Sequence, residues 1–364
     1  MDFKTTWIEV DLGALERNLG KIRKKLPKQT RLCGVVKADG YGHGALQIAK
    51  RMQNCNVDFL AVANLYEALE LRREGIKGSL LVLGWIPVES IMEAIQEEIS
   101  ITVFDELNLQ EISKSATLIG KRAKVHLKVE TGMNRLGVAW NKIGPFAALA
   151  NSLPNIFIEG TFSHLATADD LDLPWTQEQN NRFSEAIHEM RKNDIDPGIC
   201  HLANSAGSLL QTGDPWDMVR IGIACYGAGT GVEAGLEPTL KLKTRIAQVK
   251  ELLPGEAVGY GRCFQNDEVR RVAVLPIGYA DGWGRILSGT SLRHKGKKYL
   301  LVGNICMDQC MIDVTNWSDC KQGDELTLIG QGGLTVQEVA QNSQTIDYEI
   351  LVRLGKRIPR VYMG

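Results

Sequence analysis

The chain of 364 residues is long enough for about two domains, and its 44% hydrophobic and 23% charged residues suit globular cores. Its formal net charge of −1 gives no excess charge that would favour nucleic acid or an anionic membrane as a partner. No apolar run approaches the roughly 18 to 20 residues that cross a bilayer, and the first residues lack the apolar core of a signal peptide. We therefore expect a cytoplasmic protein.

The cysteines and histidines indicate neither a disulfide framework nor a metal site. The eight cysteines are scattered, mostly within apolar runs, so we expect reduced and buried thiols. Cys306 and Cys310 lack a second Cys/His pair at zinc-site spacing, and the six histidines show no paired ligand spacing. We expect no metal, and we treat His43, His126, Tyr226 and Trp85 as structural.

The N-terminal two-thirds of the chain alternates between strand and helix patterns. An alternating strand pattern at 7–12 comes first, and Asp11 is placed to cap the helix that follows it. Eight apolar strands are then predicted at 31–36, 58–63, 79–84, 99–104, 124–130, 156–163, 198–202 and 218–224. Helices are predicted at 44–53, 65–74, 87–97, 105–117, 142–152, 176–192 and 205–211.

Eight strands that alternate with helices predict an α/β fold, a (β/α)₈ TIM-type barrel at 10–235. An open doubly wound sheet is the alternative, but it more often carries a G-x-G-x-x-G turn after its first strand, and that turn is absent. After residue 235 strand patterns dominate, at 239–251, 270–277, 298–303, 309–314 and 325–329, with one clear helix at 336–341. We predict a C-terminal mostly β domain at 236–364, joined by the N-terminal residues 1–9.

Lys37 follows the first barrel strand, at the end where barrels place their functional residues. Three glycines follow it within seven residues, so the backbone can turn tightly and approach a ligand closely. A lysine at such a place can be desolvated, which lowers its pKa and frees the amine to attack a carbonyl. A lone lysine near glycines is more often a surface residue. The interpretation of Lys37 as a nucleophile therefore depends on which other residues lie at the same end, or rim, of the barrel.

The later strands end in residues suited to an anionic ligand. The sixth strand ends at His164, the seventh is followed by Ser205, and the eighth contains Arg220 and ends in Gly222 and Ile223. Barrels often bind phosphate at the loops after strands seven and eight. A lysine nucleophile and a phosphate cradle on one rim suggest that Lys37 carries pyridoxal 5′-phosphate.

Six motifs occur in order along the chain. They are VKADGYGHG at 36–44, GMNRLG at 132–137, HLANSA at 201–206, GYG at 259–261, IGYADG at 277–282 and ICMDQ at 305–309. Together they resemble the alanine racemase family of fold-type III pyridoxal-phosphate enzymes over essentially the whole chain. The resemblance implies racemisation of L- and D-alanine, supplying D-alanine for peptidoglycan.

The resemblance also implies roles for individual residues. Lys37 holds the cofactor as a Schiff base and acts as one acid/base group; Tyr260, from the partner subunit of a homodimer, is the other. The implied phosphate contacts are Tyr41, Ser205, Gly222, Ile223 and Tyr348. Arg220 is implied to face the pyridine nitrogen with His164 beside it. Arg135 and the Met307 amide are implied to hold the substrate carboxylate, and Lys128 matches a lysine that is often carbamylated.

The alternatives concern the substrate and the reaction. Many family members carry Ser at the position of Gly259, whereas some serine-racemising relatives carry Gly there. A serine or broad-specificity racemase is therefore the alternative. Tyr348 matches the phosphate tyrosine of the alanine enzymes and favours alanine. A non-catalytic pyridoxal-phosphate carrier and a decarboxylase are opposed by the C-terminal domain and by its GYG and ICMDQ motifs. Lys128 could instead pair with Glu130 or Asp308 without any modification.

Overall fold

The computed structural model describes residues 4–169, 173–210, 212 and 214–364. They form two units. One unit comprises Glu16–Gly40 and Ala45–Glu237, and the other comprises the N-terminal residues through Leu15, Tyr41–Gly44 and Pro238–Gly364. Each unit has its own sheets, and the two are described separately.

The first unit is a parallel barrel of eight strands surrounded by helices, as the sequence predicts. The barrel strands are Arg31–Val35, Phe59–Val62, Ser79–Val82, Ser100–Val103, Ala123–Glu130, Ile156–Phe162, Ile199–His201 and Met218–Ile221. The eighth strand pairs with the first, Arg220 opposite Cys33. Hydrogen bonds from Asp217 N to Cys200 O (3.0 Å) and from Arg220 N to Ala203 O (3.0 Å) tie it to the seventh. The sheet is therefore nearly closed.

Most helices of this unit follow the predicted segments, and the short helix Thr230–Glu233 was not predicted. The helices are Ala45–Asn54, Leu65–Arg73, Ile91–Gln96, Glu106–Leu118, Ile143–Ser152, Leu173–Lys192, Ser205–Leu209 and Thr230–Glu233. The predicted helix 87–97 is divided into a 3₁₀ turn, Val88–Ser90, and an α-helix, Ile91–Gln96, and Pro87 lies before both with extended backbone. The helix predicted to reach 211 ends at Leu209, and residue 211 lies outside the described residues.

Side-chain caps explain why several helices begin where they do. Asn64, Asp105 and Asn204 each accept a hydrogen bond from a backbone N–H three residues ahead, at 3.0, 2.7 and 2.9 Å. Asp11 likewise accepts from Ala14 N at 2.7 Å, so it caps the helix Leu12–Lys25 as predicted. The short barrel strands are buried along their length, which is typical of a parallel sheet covered on both faces.

The second unit is mostly β. One sheet contains, in spatial order, Glu325–Ile329, Leu240–Arg245, Thr6–Asp11 and Arg360–Met363. The N-terminal strand thus joins this unit, antiparallel to Leu240–Arg245 and parallel to Arg360–Met363, as the sequence predicts. A second sheet contains Gln248–Leu252, Arg270–Leu275 and Cys310–Asp313. Two short hairpins complete the strands: Ala257–Val258 with Phe264–Gln265, and Ser291–His294 with Lys297–Leu300.

Two features of this unit differ from the sequence prediction. The single strand predicted at 239–251 is two strands in different sheets, and the chain changes sheet at Ile246 and Ala247. The predicted helix is present as Val336–Asn342, and Thr335 and Glu338 form a capping box at its start. A second helix, Asp347–Arg353, was not predicted. It has no side-chain cap at its start, so the usual sequence signal is missing.

Candidate active site

Lys37 begins a turn whose backbone is held in an unusual conformation. Ala38, Asp39 and Gly40 have φ values of 51°, 53° and 61°, all left-handed. For a residue with a Cβ this conformation costs roughly 1–2 kcal/mol, so neighbouring contacts must hold it. Glu67 supplies one, since its carboxylate accepts from Ala38 N at 2.7 Å and from Ala63 N at 2.8 Å. The turn fixes the start of the Lys37 side chain.

Burial and neighbouring cations lower the pKa of Lys37. Desolvation is the main cause; Arg135 and then Arg220 act in the same direction, while Glu67 acts against them. A lowered pKa increases the fraction of neutral amine, the form that attacks a carbonyl or accepts a proton. The structure thus gives Lys37 the environment that the sequence predicts for a nucleophile.

Arg220 is buried in the barrel, with 3% of its surface exposed. Its guanidinium donates to the carbonyl oxygens of Ser163 (2.8 Å) and Leu202 (3.0 Å), to Nδ1 of His201 (2.8 Å) and to Nδ1 of His164 (3.1 Å). Among the residues that the structure describes, no carboxylate forms an ion pair with it. Burial lowers the pKa of Arg220 to about 10, which still leaves it a cation at neutral pH.

His164 lies beside Arg220, as predicted, and is neutral. Its pKa is held well below the usual range by burial first, then by the charges of Arg220, Lys128, Arg135 and Lys37. Because an arginine can only donate, Nδ1 of His164 is the acceptor and the ring proton belongs on Nε2. His164 therefore presents an N–H donor that is fixed by Arg220.

Phe162, which the sequence analysis overlooks, organises the charged groups. The strand register sets Lys128 opposite Phe162 and Phe162 opposite His201. The Lys128 amine lies 4.7 Å from the Phe162 ring centre and the Arg220 guanidinium 5.3 Å from it. The ring also stacks on His201, with centres 4.7 Å apart and planes 3° apart. An aromatic face attracts cations, so Phe162 partly compensates for the missing carboxylates.

The pKa of Lys128 is lowered well below its usual value. Burial is the largest cause; Arg220 and Arg135 lower it as well, and Glu130 opposes them. Within the described chain Lys128 forms no ion pair, and Asp308 is paired with Arg357 at 2.7 Å. Glu130 accepts from the backbone N–H of Gly132 and, at 3.3 Å, of Arg135. The carboxylates considered as partners for Lys128 thus have other contacts.

Four basic side chains of the barrel rim act on His164. Lys37, Lys128, Arg135 and Arg220 all act on the pKa of His164, and no acidic residue is among its causes. Arg135 is exposed at the rim, where its planar guanidinium is free to bind a carboxylate. This set of N–H donors and cations suits a ligand with phosphate or carboxylate groups.

Ser205 and Gly222, predicted to contact phosphate, lie side by side. The Ser205 hydroxyl accepts from Gly222 N at 3.0 Å, and Ile223 begins a buried 3₁₀ turn directly after. Both follow the last two barrel strands, on the rim that bears Lys37. The barrel unit therefore brings together Lys37, Lys128, Arg135, His164, Ser205, Arg220, Gly222 and Ile223.

The remaining predicted site residues belong to the second unit. The rings of Tyr41 and Tyr348 lie 6.2 Å apart, centre to centre. Tyr260 is 74% exposed, in a turn whose flanking glycines have φ of 67° and 76°. Asn304 holds this turn by donating to Tyr260 O at 2.9 Å. Met307 is 53% exposed.

The IGYADG and ICMDQ motifs meet in the second unit. A Cβ on Gly278 would lie 2.3 Å from the carbonyl oxygens of Cys306 and Met307, so only glycine fits there. Asp281 accepts from Gly278 N at 2.9 Å and from Arg357 at 2.6 Å. These contacts fix the backbone around Met307, whose amide is a predicted substrate contact.

A group of buried residues behind Arg220 was also missed. His126, which we treated as structural, contacts His201 at 2.9 Å and Glu159 at 3.1 Å. The three come from different strands, far apart in sequence, so their contact has no local signature. Within the described residues no group of three or more His, Cys, Asp or Glu side chains is arranged to hold a metal ion. No helix among them has the length and apolarity to span a membrane.

Comparison with known proteins gives matches over nearly the whole chain. Residues 10–230 match the family model for the alanine racemase N-terminal domain, and residues 239–362 match that for the C-terminal domain. Alanine racemase of Desulfovibrio desulfuricans is 38% identical over 99% of this chain and 98% of the relative. That of Methanococcus maripaludis is 36% identical over 98% of both chains.

Solved structures agree with this relationship. The alanine racemase of Clostridium difficile 630 superposes with a TM-score of 0.95 at 36% identity, covering 100% of this chain and 97% of the other. The Bacillus anthracis alanine racemase with bound L-Ala-P gives a TM-score of 0.93 at 34% identity, covering 100% of this chain and 96% of the other.

Proposed function

The chain belongs to the alanine racemase family of isomerases, and we propose on this premise that it interconverts L-alanine and D-alanine with pyridoxal 5′-phosphate. The observation that carries the proposal is the position of Lys37. It is a lysine of lowered pKa on the same barrel rim as Arg220, a buried cation without a carboxylate partner in the described chain.

The residues present fit this cofactor in charge and in donor type. We propose that Lys37 binds its aldehyde carbon, that Arg220 faces its ring nitrogen and that His164 steadies Arg220. The proposed phosphate contacts are Tyr41, Ser205, Gly222, Ile223 and Tyr348. When bound, pyridoxal 5′-phosphate withdraws electrons from Cα of an amino acid and so acidifies the Cα proton. A permanently charged arginine at the ring nitrogen discourages protonation there and moderates this withdrawal.

Racemisation needs a proton removed from one face of Cα and returned to the other, so two opposed groups are required. We propose Lys37 for the face of the D-alanine proton and Tyr260 of a partner subunit, in a homodimer with shared active sites, for the L-alanine proton. A tyrosine of ordinary pKa, about 10, is a weak base at neutral pH, so nearby cations must favour its ionised form. The proposed cation is Arg220, acting through the fixed N–H of His164.

The substrate carboxylate is assigned to Arg135 and the Met307 amide. Arg135 offers two parallel N–H donors that match the two oxygens of a carboxylate. Alanine is the proposed substrate, with serine or a broader range of amino acids as the alternative. We further propose that the enzyme is cytoplasmic and that its D-alanine supplies peptidoglycan, without a nucleic acid or membrane partner.

Lys128 is proposed to be carbamylated. Its lowered pKa favours the neutral amine, the form that adds carbon dioxide, and the resulting anion would interact favourably with the nearby charges of Arg220 and Arg135. With ¹³C-labelled bicarbonate, we expect a carbamate carbon signal in the wild-type protein and none in Lys128→Ala. An identical signal in the variant would contradict the assignment.

The attachment site gives a direct test of the proposal. Borohydride reduction of the purified holoenzyme should fix the cofactor covalently on Lys37, because its amine is desolvated while surface lysines remain protonated. Peptide mapping then locates the label. Lys77, an exposed lysine of the barrel unit, serves as the internal comparison and should stay unlabelled. A label on another lysine would refute the role of Lys37.

A further inference from the structure

A chain of hydrogen bonds runs from Arg220 through the barrel, away from Lys37. Arg220 donates to Nδ1 of His201 at 2.8 Å, and Nε2 of His201 lies 2.9 Å from Nδ1 of His126. Nε2 of His126 lies 3.1 Å from a carboxylate oxygen of Glu159. Both histidines have no exposed surface, so neither ring exchanges these partners for water. The chain thus links a buried cation to a carboxylate through two imidazoles.

The hydrogen bonds of this chain must all point the same way. Arginine cannot accept, so Nδ1 of His201 carries no proton, and in a neutral ring the proton is on Nε2. Burial and then the charge of Arg220 hold the pKa of His201 well below its usual range, so the ring is neutral. It therefore donates to Nδ1 of His126, whose own proton is then on Nε2 and is donated to Glu159. A carboxylate can only accept, which suits it to the end of the chain.

Glu159 occupies an irregular position in its strand. Val125 pairs with Ile158 and the next residue, His126, pairs with Gly160, so Glu159 is an extra residue in the ladder. Such β-bulges commonly redirect a side chain. A Cβ on Gly160 would lie 2.6 Å from the His126 ring, so a glycine is needed where the imidazole passes. The local backbone is thus adapted to this contact.

Glu159 is mostly buried and ionised. Burial raises its pKa, but the hydrogen bonds from His126 and from the Ser100 hydroxyl, together with the charge of Lys124, outweigh this, and the net pKa is lowered. Among the residues that the structure describes, Lys124, 3.7 Å away, is the cation that faces Glu159. A buried acid with only one exposed cation nearby is costly in a barrel unless it has a specific use.

We propose that Glu159 is a positioning residue for the active site, which fixes the tautomers of His126 and His201 and thereby holds the Arg220 guanidinium in place. Its carboxylate polarises the chain of hydrogen bonds so that the unprotonated Nδ1 of His201 faces Arg220. The identity of the ligand that Arg220 would contact rests on the proposed function. The predicted tautomers of His126 and His201 do not depend on that function.

The tautomers can be measured by ¹⁵N NMR of histidine-labelled holoenzyme. We expect His126 and His201 each to carry a single ring proton, on Nε2. This measurement needs no variant. A proton on Nδ1 of His201, or a charged ring at either position, would overturn the proposal whether or not the protein racemises alanine.

The dependence on Glu159 is tested with Glu159→Gln, which keeps the shape and removes the charge. The matched control is Glu185→Gln, the same change at an exposed glutamate of the outer helix Leu173–Lys192. In Glu159→Gln the ring nitrogens of His201, two hydrogen bonds away, should shift well beyond the difference between wild type and Glu185→Gln. His201 signals identical to those of the control would overturn the proposal.

The kinetic consequence separates positioning from mere stability. Glu159→Gln should lower kcat for alanine about three- to tenfold with KM changed less than about twofold, since the Arg220 guanidinium keeps its contacts with the carbonyl oxygens of Ser163 and Leu202 but is held less firmly by His201. The control should match wild type. A normal kcat in Glu159→Gln would contradict the positioning role. If neither the wild type nor any variant racemises alanine, the proposed function is refuted instead. The NMR measurement would still test the chain of hydrogen bonds from Arg220 to Glu159.

Discussion

Replacing Tyr260 with phenylalanine is expected to slow abstraction of the L-alanine proton by on the order of a hundredfold or more, because a positioned acid/base group is lost. The change removes the ionisable hydroxyl and keeps the ring. In the proposed mechanism Lys37 can still take the Cα proton of D-alanine, so exchange from that enantiomer should fall much less. Net racemisation must nevertheless fall equally in both directions, since mirror-image substrates have an equilibrium constant of one.

The asymmetry is measured by single-turnover exchange of the Cα hydrogen in deuterated water, with each enantiomer in turn. Tyr66→Phe is the matched control, because Tyr66 is 65% exposed on the barrel helix Leu65–Arg73. It should behave as wild type with both enantiomers. Equal losses of exchange from D- and L-alanine in Tyr260→Phe would contradict the assignment of one residue to each face.

Replacing Lys37 with alanine should reduce racemisation by roughly a thousandfold or more, because both the proposed attachment point and one proposed base are lost. Mixing this variant with Tyr260→Phe should then restore activity. If each site combines Lys37 of one subunit with Tyr260 of the other, a heterodimer has one intact site. Random exchange makes half of the dimers mixed, so activity should approach about a quarter of wild type.

The control for this mixture is Lys37→Ala combined with the double variant Lys37→Ala, Tyr260→Phe, which leaves no intact site in any pairing. Activity is followed with time after mixing under conditions that allow subunits to exchange. Sites built within a single subunit would give no recovery in either mixture. That result, with subunit exchange verified by mass, would contradict the shared active sites.

The barrel was predictable from sequence because its signals are local. Each strand is a short apolar run followed by an amphipathic helix, and polar caps such as Asn64 and Asp105 mark where helices begin. Lys37 could be singled out for the same reason, since the strand before it and the glycines after it adjoin it in the chain. Most of the other site residues were assigned by resemblance.

The contacts that organise the site were not predictable in this way. Phe162, His201, His126 and Glu159 meet only because the strand register and one bulge align three strands. Nothing within a few residues of Glu159 indicates an inward carboxylate. In the second unit, the chain changes sheets at Ile246 and Ala247 without a glycine or proline, so the alternation of apolar and polar residues along 239–251 gave no sign of a break.

The central claim is that this chain racemises alanine, and the most direct test is incubation of the purified holoenzyme with L-alanine in deuterated water. We expect D-alanine with deuterium at Cα, detected by chiral chromatography and mass spectrometry; a parallel incubation with L-serine measures the alternative substrate. Ethylamine as the product would indicate a decarboxylase. L-alanine recovered without deuterium would indicate a carrier without catalysis, and either result would contradict the proposed function.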